Sequence, residues 1–551
     1  MTMRKSAPRR TRSGARLARD GHFVPDAEFF AAHHRRGVSL PVALEIPDPG
    51  WDFAALAAAL PPDTHIYLFE TAGGPPDLER RSFLAWDPEC EYVLRSGQLE
   101  TWRGGRCVKQ VRARDPLSQV RALLNAAGAF AVPYAHGFAG GLLGYVSYDF
   151  KNHLERLPDR VRDDLGVPEL RLGLVRRVVC RDQRDGRLSL RVSVRCTASA
   201  RRDWERACDE LRALHAAVVA LAARIVPEPP RPRLSVVRGA RVEPRSNISR
   251  AAYDRMLARA HEHILAGDIY QANLSHRFDA TFEGDGLELY RRLRAINPSP
   301  FATYMRFPEH EVVSCSPERL VKLEQGRVET RPIAGTRPRG LDRASDRALQ
   351  RDLLANEKER AEHLMIVDMA RNDIGRVCEP GSVDVERFMR VEGYSHVRHL
   401  VSNVVGTLRE DRDAFDLLAA TFPGASITGV PKIRCMQVID SLESVRRGVY
   451  TGSAGYVGFD GCMDFNILIR TFLLQGGRAY FHVGGGIVAD SRAGREYDET
   501  LAKGRALQEA LLSVVATPAP APRRDTTARR ATTPATSTAS RRRPPLTAAG
   551  G

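Results

Sequence analysis

Apolar residues recur in two rhythms along this 551-residue chain. Residues 356–373, Asn-Glu-Lys-Glu-Arg-Ala-Glu-His-Leu-Met-Ile-Val-Asp-Met-Ala-Arg-Asn-Asp, contain no Gly or Pro and are rich in good helix formers, which predicts a helix. Ile366 and Met369 follow Glu362 at i+4 and i+7, so the carboxylate shares their face of the 3.6-residue repeat. A carboxylate facing an apolar wall is costly unless a cation or hydrogen-bond donors answer it. The bland reading is an edge glutamate paired with an arginine. Helices are also predicted at 203–225, at 251–266 behind Ser249 as N-cap, and at 287–296, 414–420 and 432–442. Strand-like stretches fall at 65–71, 269–278, 303–307, 311–315, 320–323, 383–388, 454–460, 466–474 and 479–483, and residues 170–194 suit two strands around a turn at 182–186. Short strands mixed with helices, without regular βαβ alternation, predict an α+β fold.

A second carboxylate pattern follows the last predicted strand. Gly484, Gly485 and Gly486 end that strand, where glycine lets a ligand approach the backbone and aims N–H groups at an anion. The helix predicted next carries Glu496, Glu499 and Lys503 near one face. Two distant carboxylates plus an anion cradle suggest Mg²⁺ bridging to a carboxylate substrate. Other patterns carry less. The glycine-rich run 137–149 and the run 335–340 both lack the Lys-Ser/Thr of a phosphate loop, and the former reads as close-packed strand and turn. His396 and His399 have metal-ligand spacing, but such pairs are mostly structural, so zinc is not expected.

Composition locates the charge rather than the function. The net charge is +16, of which residues 1–20 and 516–551 carry +6 each, leaving +4 for the body. The basicity belongs to tails expected to be disordered, not to a folded nucleic-acid groove. Nine cysteines without a Cys-x-x-Cys pair argue for reduced thiols and a cytoplasmic setting. The longest apolar stretch, 214–226, contains His215 and Arg224 and is too short to span a bilayer, so no membrane association is expected. The proline-rich stretch at 226–245 is the best domain boundary.

Several blocks then occur in one order: Gly267-Asp-Ile-Tyr-Gln-Ala-Asn-Leu-Ser, Ser316-Pro-Glu-Arg, Arg331-Pro-Ile-Ala-Gly-Thr-Arg-Pro-Arg-Gly, Ala361-Glu-His-Leu-Met, Arg371-Asn-Asp-Ile-Gly-Arg-Val, Phe422-Pro-Gly-Ala-Ser-Ile-Thr-Gly-Val-Pro-Lys and the glycine cradle. In them, over residues 40–513 and most densely from Ser246 onward, the chain resembles the chorismate-utilising enzymes: component I of anthranilate synthase, component I of aminodeoxychorismate synthase, isochorismate synthase and salicylate synthase. The resemblance implies two facing antiparallel β-sheets flanked by helices. Together with the composition, it divides the chain into a tail (1–20), an N-terminal domain (21–225), a linker (226–245), a chorismate-binding catalytic domain (246–515) and a second tail (516–551). Carried over residue by residue, Glu362 and Glu499 look like the Mg²⁺ ligands. Tyr450, Arg470, Gly484, Gly485, Gly486 and Lys503 would bind carboxylates, with Gly335 and Thr336 at the substrate. Glu318 is the candidate general acid for the leaving C4 hydroxyl, and His399 matches the pocket histidine.

The resemblance also bears on the nucleophile. Members that add water carry a lysine where this chain has Gln271, which cannot act as that base, so ammonia is implied. No glutaminase elbow with its His-Glu pair is present, so a separate glutamine amidotransferase subunit is the expected partner. Two products stay open. Aminodeoxychorismate synthases usually hold an attacking lysine where this chain has Ala334, as in anthranilate synthases. Against that, Gln271-Ala-Asn-Leu-Ser, Ser314-Cys-Ser-Pro-Glu-Arg, Tyr450-Thr-Gly-Ser and Pro300-Phe-Ala look like the aminodeoxychorismate branch. So does the 65–71 strand, where Phe69 and Thr71 depart from the tryptophan-site pattern of anthranilate synthases. The number of blocks makes 4-amino-4-deoxychorismate, on the route to para-aminobenzoate and folate, the expected product, with anthranilate the alternative. A third reading is a silent homologue that uses its basic tails as an interaction protein.

Overall fold

The computed structural model describes residues 21–515, apart from 76–77, 79–80, 131–136, 159, 185, 226–243 and 395–396. The two basic tails, most of the proline-rich linker and His396 lie outside the described residues. Two large sheets face each other, and every strand pairing within them is antiparallel. Thirteen described strands form the first sheet and twelve the second. Both draw strands from either side of the linker. Ile66–Glu70 pairs with Phe301–Arg306 in the first sheet, and Gly141–Val146 with Ser453–Gly458 in the second.

The packing follows from which face of each strand is apolar. Between the sheets, Tyr67, Phe83, Met305 and Leu473 of the first meet Leu143, Tyr145 and Tyr456 of the second. Each outer face is covered by helices: Ala200–Arg224 and Ala493–Val515 help cover the first, Glu357–Gly375 and Ala414–Thr421 the second. A polar tie crosses the sandwich where Tyr67 donates to Glu91 at 2.5 Å and Arg171 donates to the same carboxylate at 2.8 Å. Burial works to raise Glu91, but His65 and Arg171 outweigh it and hold the carboxyl down to about 2. An ion pair this buried needs such full hydrogen bonding to persist.

Several elements differ from the sequence-based expectation, the helix Pro116–Ala126 and the strands Cys90–Arg95 to Arg106–Arg112 among them, and three show why. Residues 170–194 form three strands rather than two: Leu170–Val175 in the second sheet, then Arg177–Asp182 and Arg187–Arg195 in the first. The chain changes sheets at Arg176, so the alternation carries on through a crossing that periodicity does not register. The strand Val397–Thr407 was not anticipated; eight consecutive residues of it are buried, and a strand covered on both faces loses its period-two signal. The helix Arg343–Ala355 was also missed. Only Leu353 is buried, so it offers no apolar stripe, although Asp342 and Ser345 form its capping box.

Candidate active site

The predicted residues converge where the glycine strand, the outer strands of the second sheet and the Glu357–Gly375 helix come together. Gln271 opens the strand Gln271–Thr281, which pairs with Arg478–Ile487 so that Asn273 stands opposite Gly486. Gly335 and Thr336 lie on Ile333–Pro338 and His399 on its partner Val397–Thr407. The register shifts between Ala334 and Thr336, so Gly335, at φ +64°, is the extra residue of a bulge.

Glu362 faces Gln271, whose Nε2 donates to its Oε1 at 3.0 Å. Burial, then the neighbouring Glu359, pushes the Glu362 carboxyl up, while Gln271 and Lys503 pull it down. Glu359 is held by Arg337 at 2.8 Å. A Cβ on Gly486 would stand 2.3 Å from Gln271 Nε2 and 3.4 Å from Glu362 Oε1, so glycine keeps this wall open. A Cβ on Gly485 would stand 3.7 Å from Lys503 Nζ and 3.8 Å from Glu496 Oε2. Lys503 Nζ donates to the Gly484 carbonyl at 3.2 Å and pairs with Glu499 at 2.9 Å. Glu499 is exposed and turned toward Lys503, whereas Glu496 is buried beside the glycine strand. Glu359, Glu362, Glu496 and Glu499 offer only oxygen donors, a set that suits a hard divalent cation such as Mg²⁺.

The anion-binding side is more fully formed. Arg470 holds φ +53° and donates one hydrogen bond, from Nη1 to the neutral Asn297 Oδ1 at 3.1 Å. Among the described residues no carboxylate lies within ion-pair distance of it, and burial pulls its pKa down. A strained backbone and an unneutralised guanidinium mark a place prepared for an anion. Tyr450 is buried and stacks on His482 with ring centroids 5.0 Å apart. Its hydroxyl lies 2.9 Å from where a Cβ of Gly484 would be.

Acid and base are set apart by their surroundings. Glu318 is buried, and its Oε1 accepts from Ser426 Oγ at 2.8 Å. Burial pushes its carboxyl up to about 7 against the downward pull of Ser426, the Ile333 N–H and Arg470. His399 Nδ1 donates to the Gly335 carbonyl at 3.0 Å, with Thr336 Oγ1 3.1 Å away. A carbonyl can only accept, so Nδ1 carries the hydrogen and Nε2 keeps its lone pair. That Nε2 is buried with no hydrogen-bond partner. Burial, then the charge of Arg470, pulls the imidazole down to about 4, so it is neutral at pH 7.

Reading the sequence had not selected Ser426, Asn297 or Glu359, and had noted Glu496 without assigning it to the metal. Ser426 and Glu496 sit inside the motif blocks and were legible as neighbours; Glu359, one turn before Glu362, reads as ordinary solvated charge in the sequence, and Asn297 acts across the fold and gave no local signal. Glu359, Glu362, Glu496 and Glu499 are not gathered as tightly as His34, Cys196 and Asp203, the one group among the described residues close enough to hold an ion, and that group is internally satisfied, since Asp203 already accepts from Thr197, His34 and Arg206.

A buried carboxyl pushed up to about 7, a neutral imidazole with a free Nε2, a buried arginine without a carboxylate partner and a glycine edge give the site groups for acid–base chemistry beside places suited to an anion. Comparison with known proteins specifies the class. A family model described as chorismate binding enzyme matches residues 64–509. The chain is 40% identical over 449 residues to anthranilate synthase component 1 of Aquifex aeolicus (strain VF5), covering 81% of this chain and 88% of that protein. With anthranilate synthase component 1 of Mycobacterium tuberculosis (strain ATCC 25618 / H37Rv) it shares 37% over 509 residues, 90% of this chain and 96% of the relative. The crystal structure of anthranilate synthase component I from Streptococcus pneumoniae TIGR4 superposes with a TM-score of 0.66 at 32% identity, over 79% of this chain and 93% of that one. The menaquinone-specific isochorismate synthase of Escherichia coli shares the fold at 19% identity and a TM-score of 0.63, over 91% of this chain and 100% of that one. The chain belongs to the chorismate-binding enzyme family. Among the described residues, no helix is long and apolar enough to cross a membrane.

Proposed function

We propose that this chain aminates chorismate at C2 and eliminates pyruvate to give anthranilate, as the component I of an anthranilate synthase, with ammonia supplied by a glutamine amidotransferase partner. The observation that carries the choice of product is Ala334, buried next to the Gly335 bulge at the position where the aminodeoxychorismate branch keeps its attacking lysine. A methyl group forms no adduct with C2, so nitrogen added there stays there. Lys503 is engaged with Gly484 and Glu499. Relatives named anthranilate synthase component 1 support the same reading. It replaces the aminodeoxychorismate product expected from the number of matching blocks.

In this reading Arg470, Tyr450 and the glycine N–H groups hold the substrate carboxylates. Glu362 and Glu499, with Glu496 beside them, would hold Mg²⁺, which when bound neutralises the ring carboxylate. Glu318 gives its proton to the C4 oxygen as the C4–O bond breaks and the C2–N bond forms, because hydroxide leaves poorly unless protonated. His399 Nε2 then takes the C2 hydrogen while the enolpyruvyl C–O bond breaks, leaving an aromatic ring. The test is incubation of the protein with chorismate, Mg²⁺ and ammonium. A fluorescent aromatic amine with equimolar pyruvate is the expected outcome. A non-aromatic aminated product that a lyase converts to 4-aminobenzoate would place the chain in the other branch.

A further inference from the structure

Glu318 and Asp373 line the same cavity. Its volume is about 30 Å³, and Ser426 and Thr421 add polar groups to walls that include Ile366 and Ala370. A water needs roughly 15 Å³ of such space, so about two fit, and the polar groups give them partners. Asp373 stands three helical turns beyond Glu362, at the end of the stripe that Ile366 and Ala370 continue. Its Oδ2 accepts from Lys432 Nζ at 2.7 Å, and Lys432 also donates to the Thr421 carbonyl at 3.1 Å. The Asp373 and Lys432 side chains are 10% and 12% exposed, so the pair at the Asp373 wall keeps some contact with solvent.

This arrangement answers a requirement of the proposed reaction, on which the inference rests. The departing C4 oxygen leaves as water with the proton of Glu318, and one carboxylate remains. Ammonia bonding to C2 releases one proton from nitrogen, so the turnover balances overall, and Glu318 must regain a proton before it can act again. With a substrate or product against its catalytic side, Glu318 is cut off from solvent there. We propose that Asp373 and waters in this cavity form a proton path from solvent to the rear of Glu318, recharging the acid while product still covers its front.

The charges facing the path suit that role. Around Glu318 stand Arg470 and Tyr394, with Arg319 nearby but committed to Asp464 and Glu329. Around Asp373 stand Lys432 and Arg376. Burial outweighs both cations and raises the Asp373 carboxyl, bringing it toward that of Glu318 and easing transfer between the two.

The experiment compares Asp373→Asn, Asp373→Glu and Ala370→Leu in the full chain, assayed with chorismate, Mg²⁺ and ammonium. Asp373→Asn is expected to lower kcat by on the order of tenfold, with KM for chorismate within about twofold and a larger D₂O effect on kcat; Asp373→Glu restores most of the rate. Ala370→Leu takes up the water space while leaving both carboxyls in the chain and should reproduce the fall in kcat and the larger isotope effect. If Asp373→Asn does not fold, Ala370→Leu decides alone. Wild-type kcat and isotope effect in Ala370→Leu would overturn the path. Failure of the wild-type chain to aminate chorismate would instead overturn the proposed function, and the path with it.

Discussion

At the scale of single residues, the site trades stability for chemistry, and Glu318 shows the exchange most directly. Its carboxyl moves from 4.5 in solution to about 7 in the fold. The native state therefore binds this proton more tightly than the unfolded chain. The sign follows: the contribution to stability is fullest below pH 4.5 and is lost as pH rises through about 7. At pH 8 the loss amounts to about 3 kcal/mol. Glu318→Gln should abolish amination yet unfold at higher temperature than wild type at pH 8, with the difference vanishing near pH 4.5; calorimetry at the two pH values checks it. The wild-type kcat should fall on the alkaline side as Glu318 loses its proton. Replacing His399 with Asn should leave amination in place and stop elimination, so a non-aromatic aminated product builds up in the chromatogram. Glu362→Gln should remove Mg²⁺-dependent turnover while the circular dichroism spectrum stays unchanged.

At the scale of elements, close approach is what the glycines provide. Gly486→Ala would drive a methyl group to 2.3 Å from Gln271 Nε2 and displace the Gln271–Glu362 bond. A displacement of about an ångström there should lower kcat/KM on the order of a hundredfold with little change in unfolding temperature, as steady-state kinetics beside thermal melts would register. The glycine strand and the Glu362 helix were legible because their signals are local: three consecutive glycines, and a helical run without breakers. The bulge at Gly335 was not, since it exists only through pairing with Val397–Thr407, a strand whose two-sided burial hides its periodicity. Likewise the exposed position of Glu499 and the buried one of Glu496 depend on how the last helix rotates against the glycine strand. Spacing placed both on one face and could not rank them.

At the scale of the whole molecule, the two-sheet architecture agreed with what the motif blocks implied, because those blocks lie on strands of both sheets and on a helix packed against the second. The crossing at Arg176 escaped, being a choice between sheets rather than between secondary structures. Charge is also a whole-molecule property here. All the site residues lie between Gln271 and Lys503, while the tails carry most of the net +16. Removing residues 1–20 and 516–551 should leave kcat unchanged and shift elution from a cation exchanger to much lower salt.

The interleaving of strands across the linker has a consequence for how the protein can be divided. Cut at the linker, neither piece keeps a complete sheet: Ile66–Glu70 loses Phe301–Arg306, and Gly141–Val146 loses Ser453–Gly458. Each fragment would present bare strand edges, which template aggregation when made alone. Made together, the same edges are complementary and specific for each other. Residues 1–225 and 244–551 should therefore be insoluble as separate products and recover chorismate turnover when co-expressed, so that this enzyme can be encoded as two genes without changing the molecule that results.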